Sequence, residues 1–125
     1  MFTQKSNINR NKKVGREAYS EKKILRYVGL PINKQTMSVE LTGTKLSFEG
    51  TLDGYVYHTI NNFDGKKFEI DSKAVQEVST PADSLDPSFA IVPIKDTQLF
   101  TGLIMVRPVM NAPQQEDRTI EFYFE

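Results

Sequence analysis

The chain of 125 residues contains no cysteine and no tryptophan, and its one histidine is His58. Without cysteine, disulfides and thiolate metal sites are excluded, which suits a reducing cytoplasm. A single histidine excludes a His/Cys metal cluster and leaves no choice of base for a Ser-His-Asp arrangement. A Gly-rich phosphate loop and a nucleophile elbow are missing as well. We therefore predict a cytoplasmic protein that is not an enzyme, has no catalytic or metal site and uses no cofactor.

Long apolar runs are absent too. Stretches such as residues 103–106 are far too short to span a bilayer. The N-terminal charges are not followed by the apolar core of a secretory signal. These absences predict that the protein has no membrane partner. A length of 125 residues corresponds to a single domain.

The net charge of zero hides an uneven distribution. Residues 1–35 carry nine basic and two acidic residues, whereas residues 36–125 carry seven basic and fourteen acidic ones. The first part therefore has a net charge of +7 and the second a net charge of −7. This asymmetry predicts a basic N-terminal arm of residues 1–35 and a folded acidic body of residues 36–125. The target of the arm is either an external polyanion or the acidic body of a neighbouring subunit.

The arm itself shows two kinds of pattern. Residues 1–15 lack apolar periodicity and are expected to be mobile in isolation. Residues 16–28 are interpreted as a short helix or an extended arm, with a short strand at Tyr27 and Val28 as the alternative. We predict that the arm is either flexible or docked on the next subunit of a homo-oligomer. The residues expected to serve oligomerisation are Arg10, Lys12, Lys13, Arg16, Tyr19, Ile24 and Leu25.

From residue 36 onward the pattern is typical of strands. Apolar residues alternate with polar ones, Gly43 interrupts the first strand, and Asp-Gly turns at 53–54 and 64–65 predict a three-stranded meander. A two-residue turn at 53–54 would pair Gly50 with Tyr57. Tyr55 and Tyr57 would then share a face with Phe48, because cross-strand partners lie on one side of a sheet.

The remaining segments complete the predicted fold. Residues 72–80 fit a short helix, residues 89–94 and 99–109 a two-stranded hairpin, and residues 118–125 an extra C-terminal strand. The order of meander, short helix and hairpin matches an all-β, five-stranded, OB-like barrel. A β-sandwich with a similar number of strands is the alternative.

Aromatic and basic residues of the body are the candidates for a binding site. Single-stranded nucleic acid is held by rings that stack on its bases and by cations that contact its phosphates. Phe63 lies beside Lys66 and Lys67 at the second predicted turn. The residues predicted to bind nucleic acid are Lys45, Tyr55, Tyr57, Phe63, Lys66, Lys67, Phe89 and Arg107.

In size, strand order and basic arm, the chain resembles the small OB-fold single-stranded-DNA-binding proteins of bacteriophages and conjugative plasmids. The resemblance covers roughly residues 36–110 and rests on architecture. The chain departs from the common bacterial pattern because it has no tryptophan and no Gly/Pro-rich linker with an acidic apolar tail, so recruitment of enzymes through such a tail is not expected. The resemblance implies sequence-tolerant binding and protection of single-stranded DNA in phage or plasmid DNA replication or transfer.

Other functions fit the same sequence. The nucleic-acid ligand could be RNA in place of DNA. A second hypothesis is a non-enzymatic structural or assembly protein of a phage particle or conjugation machinery, in which the arm serves only to link subunits. A third is an adaptor that binds another protein at a sheet edge.

Overall fold

A computed structural model describes residues 2–74 and 88–125, and it confirms the prediction of an all-β protein. One short 3-10 helix, Thr97–Phe100, accompanies the strands, and none of the helical structure described is long and apolar enough to cross a membrane. The strands are β1 (Phe2–Ile8), β2 (Ala18–Tyr19), β3 (Leu25–Pro31), β4 (Lys45–Thr51), β5 (His58–Thr59), β6 (Glu69–Asp71), β7 (Phe89–Pro93), β8 (Met105–Met110) and β9 (Arg118–Phe124).

The first sheet has four antiparallel strands in the order β1-β9-β3-β7. Phe122 of β9 pairs with Gln4 on one side and with Val28 on the other. The alternation in residues 118–125 thus corresponds to a real strand, and Ile120, Phe122 and Phe124 are buried in the core. Because strands flank β9 on both sides, it is a central strand of this sheet rather than an addition to it.

The second sheet contains β2, β8 and β4 in that order, and β5 and β6 both pair with β4. Thr59 pairs with Glu49, and Ile70 pairs with Leu46 further along the same strand. The chain therefore pairs with β4 first through β5, turns away from β4 over residues 61–67, and pairs with β4 again through β6. A three-stranded meander would pair β6 with β5 and not with β4. Here the two strands are joined by a bridge between Asn61 and Lys67, as in a meander, but both also pair with β4, which the prediction did not include.

The core lies between the two sheets. The Phe48 ring of the second sheet is 6.0 Å from the Phe122 ring of the first, at an interplanar angle of 70°. It also meets Phe100 of the 3-10 helix edge-on at 5.6 Å. Such aromatic pairs contribute beyond the apolar area that they bury. The two sheets are not closed into a barrel, which leaves the finer OB-like assignment as a prediction.

The predicted arm differs most from the structure. In place of a mobile segment, residues 2–8 form β1, which pairs with β9 along its whole length. Within residues 16–28, the strand alternative at Tyr27 and Val28 agrees with β3, whereas the short helix is not formed and β2 was not predicted. Within the predicted arm, β1 and β3 share the first sheet with β9, and β2 joins the second sheet. The boundary predicted at residue 36 therefore does not separate the strands of the two parts.

Two further predictions concern residues 72–109. The predicted hairpin is not formed, because β7 pairs with β3 in the first sheet and β8 pairs with β4 in the second. Residues 89–93 of the first segment form β7, but only residues 105–109 of the second are strand, because its first residues belong to the 3-10 helix and to the turn after it. The residues between β7 and β8 carry the chain from one sheet to the other. The short helix predicted over residues 72–80 lies mostly outside the described residues, and residues 72–74 form a turn.

Candidate functional site

Several predicted site residues lie on the face of the second sheet that is turned away from the core, here called the outer face. Directly opposite residues of neighbouring strands point to the same side of a sheet, so the strand register defines three rows across this face. They are Val14, Val109, Ser47 and Glu69; then Arg107, Glu49 and Thr59; then Tyr19, Met105 and Thr51.

Arg107 occupies the centre of the outer face, and its charge is already compensated. Its guanidinium lies 2.8 Å from the Glu49 carboxylate and 3.9 Å from that of Glu17. The same guanidinium lies over the ring of Tyr57, 3.9 Å from the ring centroid. Desolvation, reinforced by the charge of Glu17, raises the pKa of the Tyr57 hydroxyl. Arg107 therefore supports the ring of Tyr57, and its guanidinium has two carboxylate partners within the chain.

Residues 52–57, here called the tyrosine loop, connect β4 to β5 and carry exposed apolar side chains. Tyr55 is 89% exposed, Leu52 64% and Val56 53%. The loop is nevertheless held by hydrogen bonds. The Asp53 carboxylate accepts the N–H groups of Tyr55 and Val56 at 2.8 and 3.0 Å, and the buried Thr51 hydroxyl accepts the N–H of Gly54 at 2.9 Å.

The hydrogen bonds that the Asp53 carboxylate accepts also affect the ionisation of this side chain. The N–H groups of Val56 and Tyr55, and then the hydroxyl of Thr51, hold the pKa of the Asp53 carboxyl below its ordinary value. Each of these donors stabilises the ionised form. The ionised carboxylate thus organises a loop whose apolar side chains point into solvent.

The register explains why Tyr55 is exposed. The predicted two-residue turn required Tyr57 opposite Gly50, but His58 lies there, and Ile60 together with Leu103 fills the space beside Gly50. A shift of one residue turns every side chain of a strand to the other face. Tyr57 therefore lies on the outer face with Arg107, and Tyr55 belongs to the loop.

Residues 61–67, here called the Phe63 loop, leave the edge of the second sheet between β5 and β6. The loop is closed at its base by the pairing of Asn61 with Lys67 and by a 2.6 Å hydrogen bond from the N–H of Asn62 to the carbonyl of Lys66. Phe63 is 73% exposed, and both lysine side chains are exposed beside it. This loop brings together an aromatic ring and two cations, as the sequence predicted.

Residues 10–16, here called the basic segment, follow the opposite edge of the second sheet. The N–H of Met110 donates to the carbonyl of Lys13, and the N–H of Gln114 donates to that of Lys12, at 2.8 and 3.1 Å. Val14 pairs with Val109. Its four basic side chains, of Arg10, Lys12, Lys13 and Arg16, are all exposed.

The other predicted residues lie elsewhere. Lys45 pairs with Asp71 at 3.4 Å, and Phe89 belongs to β7 in the first sheet. Of the residues predicted for oligomerisation, Leu25 is completely buried and Ile24 is half-buried, whereas Tyr19 is 49% exposed on the outer face. Leu25 therefore packs in the core of its own chain and has no surface to offer a neighbour.

Sequence reasoning missed Leu52, Val56 and Met105 as surface residues. Met105 pairs with Tyr19 and lies 3.9 Å from the Tyr57 hydroxyl, measured to its sulfur. An apolar pattern alone assigns such residues to the core. The clue available in the sequence was Asp53, whose short side chain commonly bonds to backbone N–H groups two or three residues on and so organises a longer loop.

Among residues 2–74 and 88–125, no group of three His, Asp or Glu side chains is arranged to hold a metal ion. Comparison with known proteins gives no assignment either, because no protein-family model, curated protein or solved structure matches the chain.

Proposed function

We propose that the protein binds single-stranded nucleic acid, most simply DNA, with little sequence preference. The observation that carries this proposal is the tyrosine loop, where hydrogen bonds hold Tyr55 at 89% exposure. A ring in this position buries almost no surface in its own chain, so it contributes little to folding. Because the loop is already ordered, a ligand that stacks on the ring does not have to pay for ordering it.

The composition of the surface supports a polyanionic ligand with unpaired bases. Phe63 lies beside Lys66 and Lys67, and Tyr57 has one face of its ring covered by Arg107. Stacking on aromatic rings tolerates any base because every base has a π face. An OB-like arrangement belongs to this proposal as well, since OB folds bind oligonucleotides on the sheet face of a partly open barrel.

Fluorescence anisotropy with labelled oligo-dT at low salt tests the proposal. Replacement Tyr55→Ala should weaken binding by about 1–3 kcal/mol if the ring stacks on a base, with no change in the circular dichroism spectrum. Met37→Ala is a matched control, because Met37 is 64% exposed in the loop that follows β3. Absence of binding by the wild type at micromolar concentrations would refute the proposal.

A structural or assembly protein is the second candidate. The exposed aliphatic side chains of Leu52 and Val56 favour it, because they offer apolar contact area but no ring for stacking. Light scattering distinguishes the two functions. An assembly protein forms oligomers without nucleic acid, and Leu52→Ser would reduce their mass, whereas oligonucleotide would leave it unchanged.

A further inference from the structure

The cations of the chain divide into those that form an ion pair with a carboxylate and those that do not. The positions of the second group indicate the path of the ligand. Six of the sixteen lysines and arginines form ion pairs with carboxylates of the described residues. They are Lys5, Lys23, Arg26, Lys45, Arg107 and Arg118. Their charges are largely compensated within the chain, so they attract a further anion only weakly.

Six of the ten remaining cations lie at two places. Four of them lie within the seven residues of the basic segment, and Lys66 and Lys67 lie in the Phe63 loop. None of these six side chains forms an ion pair with a described residue. An exposed cation without a carboxylate partner keeps its full attraction for phosphate. Each phosphate that such a cation neutralises releases condensed counterions, so binding weakens as the salt concentration rises.

The strand register puts both places in one row of the outer face. Val14 in the basic segment pairs with Val109, Val109 with Ser47, and Ser47 with Glu69, two residues beyond the end of the Phe63 loop. Three strand spacings of about 4.8 Å separate the ends of this row, or roughly 14 Å. The cations therefore flank the outer face on both edges at the same level.

The backbone of the basic segment is fixed before any ligand binds. Four hydrogen bonds tie residues 11–15 to β8 and to Gln114, and Ser6 donates its hydroxyl to the carbonyl of Arg16. A segment that is part of the folded sheet cannot reach out to a neighbour as a free arm. The backbone that carries its cations is instead fixed beside the outer face.

We infer that the basic segment contacts the phosphates of the same nucleic-acid strand that stacks on the aromatic loops, and that this strand crosses the second sheet from the basic segment to the Phe63 loop. This inference rests on the proposed function and replaces the oligomerisation role predicted for Arg10, Lys12, Lys13 and Arg16. Arg107, although central, supports Tyr57 and makes no phosphate contact.

The salt dependence of binding tests this path. For single strands, log K falls with log salt by about 0.7 for each phosphate contact. A variant with Arg10→Gln, Lys12→Gln, Lys13→Gln and Arg16→Gln should therefore have a slope less steep by up to about 3, and Lys66→Gln with Lys67→Gln by about 1.4. Arg107→Met should weaken binding, because the ring of Tyr57 loses the guanidinium that supports it, but it should leave the slope unchanged. Glu69→Gln, which removes an acid from the row, should strengthen binding.

The control is the double variant Lys34→Gln with Lys95→Gln. Both residues are exposed and unpaired among the described residues, but they follow β3 and β7 of the first sheet. An equal change of slope in the control would overturn the inference, as would an unchanged slope in the basic-segment variant or a fall in its oligomeric mass by light scattering. No binding by the wild type would refute the proposed function itself.

Discussion

At the scale of single residues, Gly50 shows how closely the core is packed. A Cβ at this position would lie 2.8 Å from both terminal methyl groups of Leu103 and 3.1 Å from Cδ1 of Ile60. Gly50→Ala should therefore destabilise the protein by about 1–3 kcal/mol through overpacking, measured by thermal or urea unfolding. Thr59→Ala, on the exposed side of the adjacent strand, should cost less than about 0.5 kcal/mol. Equal midpoints for the two variants would contradict this packing.

Asp53 gives a prediction about pH. Its pKa in the folded protein lies below the ordinary value of 3.8. The stabilisation from its hydrogen bonds is therefore complete above 3.8 and is lost as the pH falls through the lowered pKa. The amide signals of Tyr55 and Val56 should shift together in an NMR titration with a midpoint below 3.8, and Asp53→Ala should abolish this transition. A midpoint at or above the ordinary value would show that the carboxylate does not hold the loop.

The residue scale also shows a limit of sequence reasoning. The Asp53-Gly54 pair was correctly interpreted as part of a turn, but the turn is longer than two residues because Asp53 bonds to Tyr55 and Val56. That difference of one position moved Tyr57 from the core side to the outer face. The charge of Arg107 was visible in the sequence, but its two carboxylate partners come from β4 and from residue 17, and only the folded chain brings them together.

At the scale of elements, β1 offers the clearest test. Ile8 is completely buried at the end of this strand. Ile8→Ala should lower the free energy of unfolding by about 2–5 kcal/mol, because it leaves a cavity in the core. Lys12→Ala, four residues later and exposed, should change it by less than about 0.5 kcal/mol. If residues 1–15 were a mobile arm, both variants would unfold at the wild-type temperature.

The strands themselves were easier to predict than their partners. The alternation in residues 118–125 identified β9 because a period of two is a local property of the sequence. The partners of β9 are β1 and β3, which precede it by about ninety residues or more. The polar pattern of β1, in which Gln4 and Ser6 share a face with Phe2 and Ile8, hid the strand from a search for apolar periodicity. Its backbone pairing with β9 compensates for that weak pattern.

At the scale of the whole molecule, the charge asymmetry takes on a different meaning. The sequence suggested a basic arm separate from an acidic body, but Lys5 pairs with Glu121 and Arg26 with Glu125, so part of the asymmetry is compensated within one sheet. Most of the positive charge in the N-terminal part that has no carboxylate partner belongs to the basic segment, at the edge of the second sheet. The fold thus compensates part of the N-terminal charge and leaves most of the remainder in the basic segment.

The sequence alone determined the all-β class, the positions of most strands, the lack of cysteine chemistry and the closeness of aromatic and basic residues near residue 63. These properties depend on neighbouring residues and on composition. Only the tertiary structure decided which strands pair, which cations are compensated and which rings face solvent. Those properties depend on contacts between residues far apart in the chain, and several arrangements of the same strands satisfy the local pattern equally well.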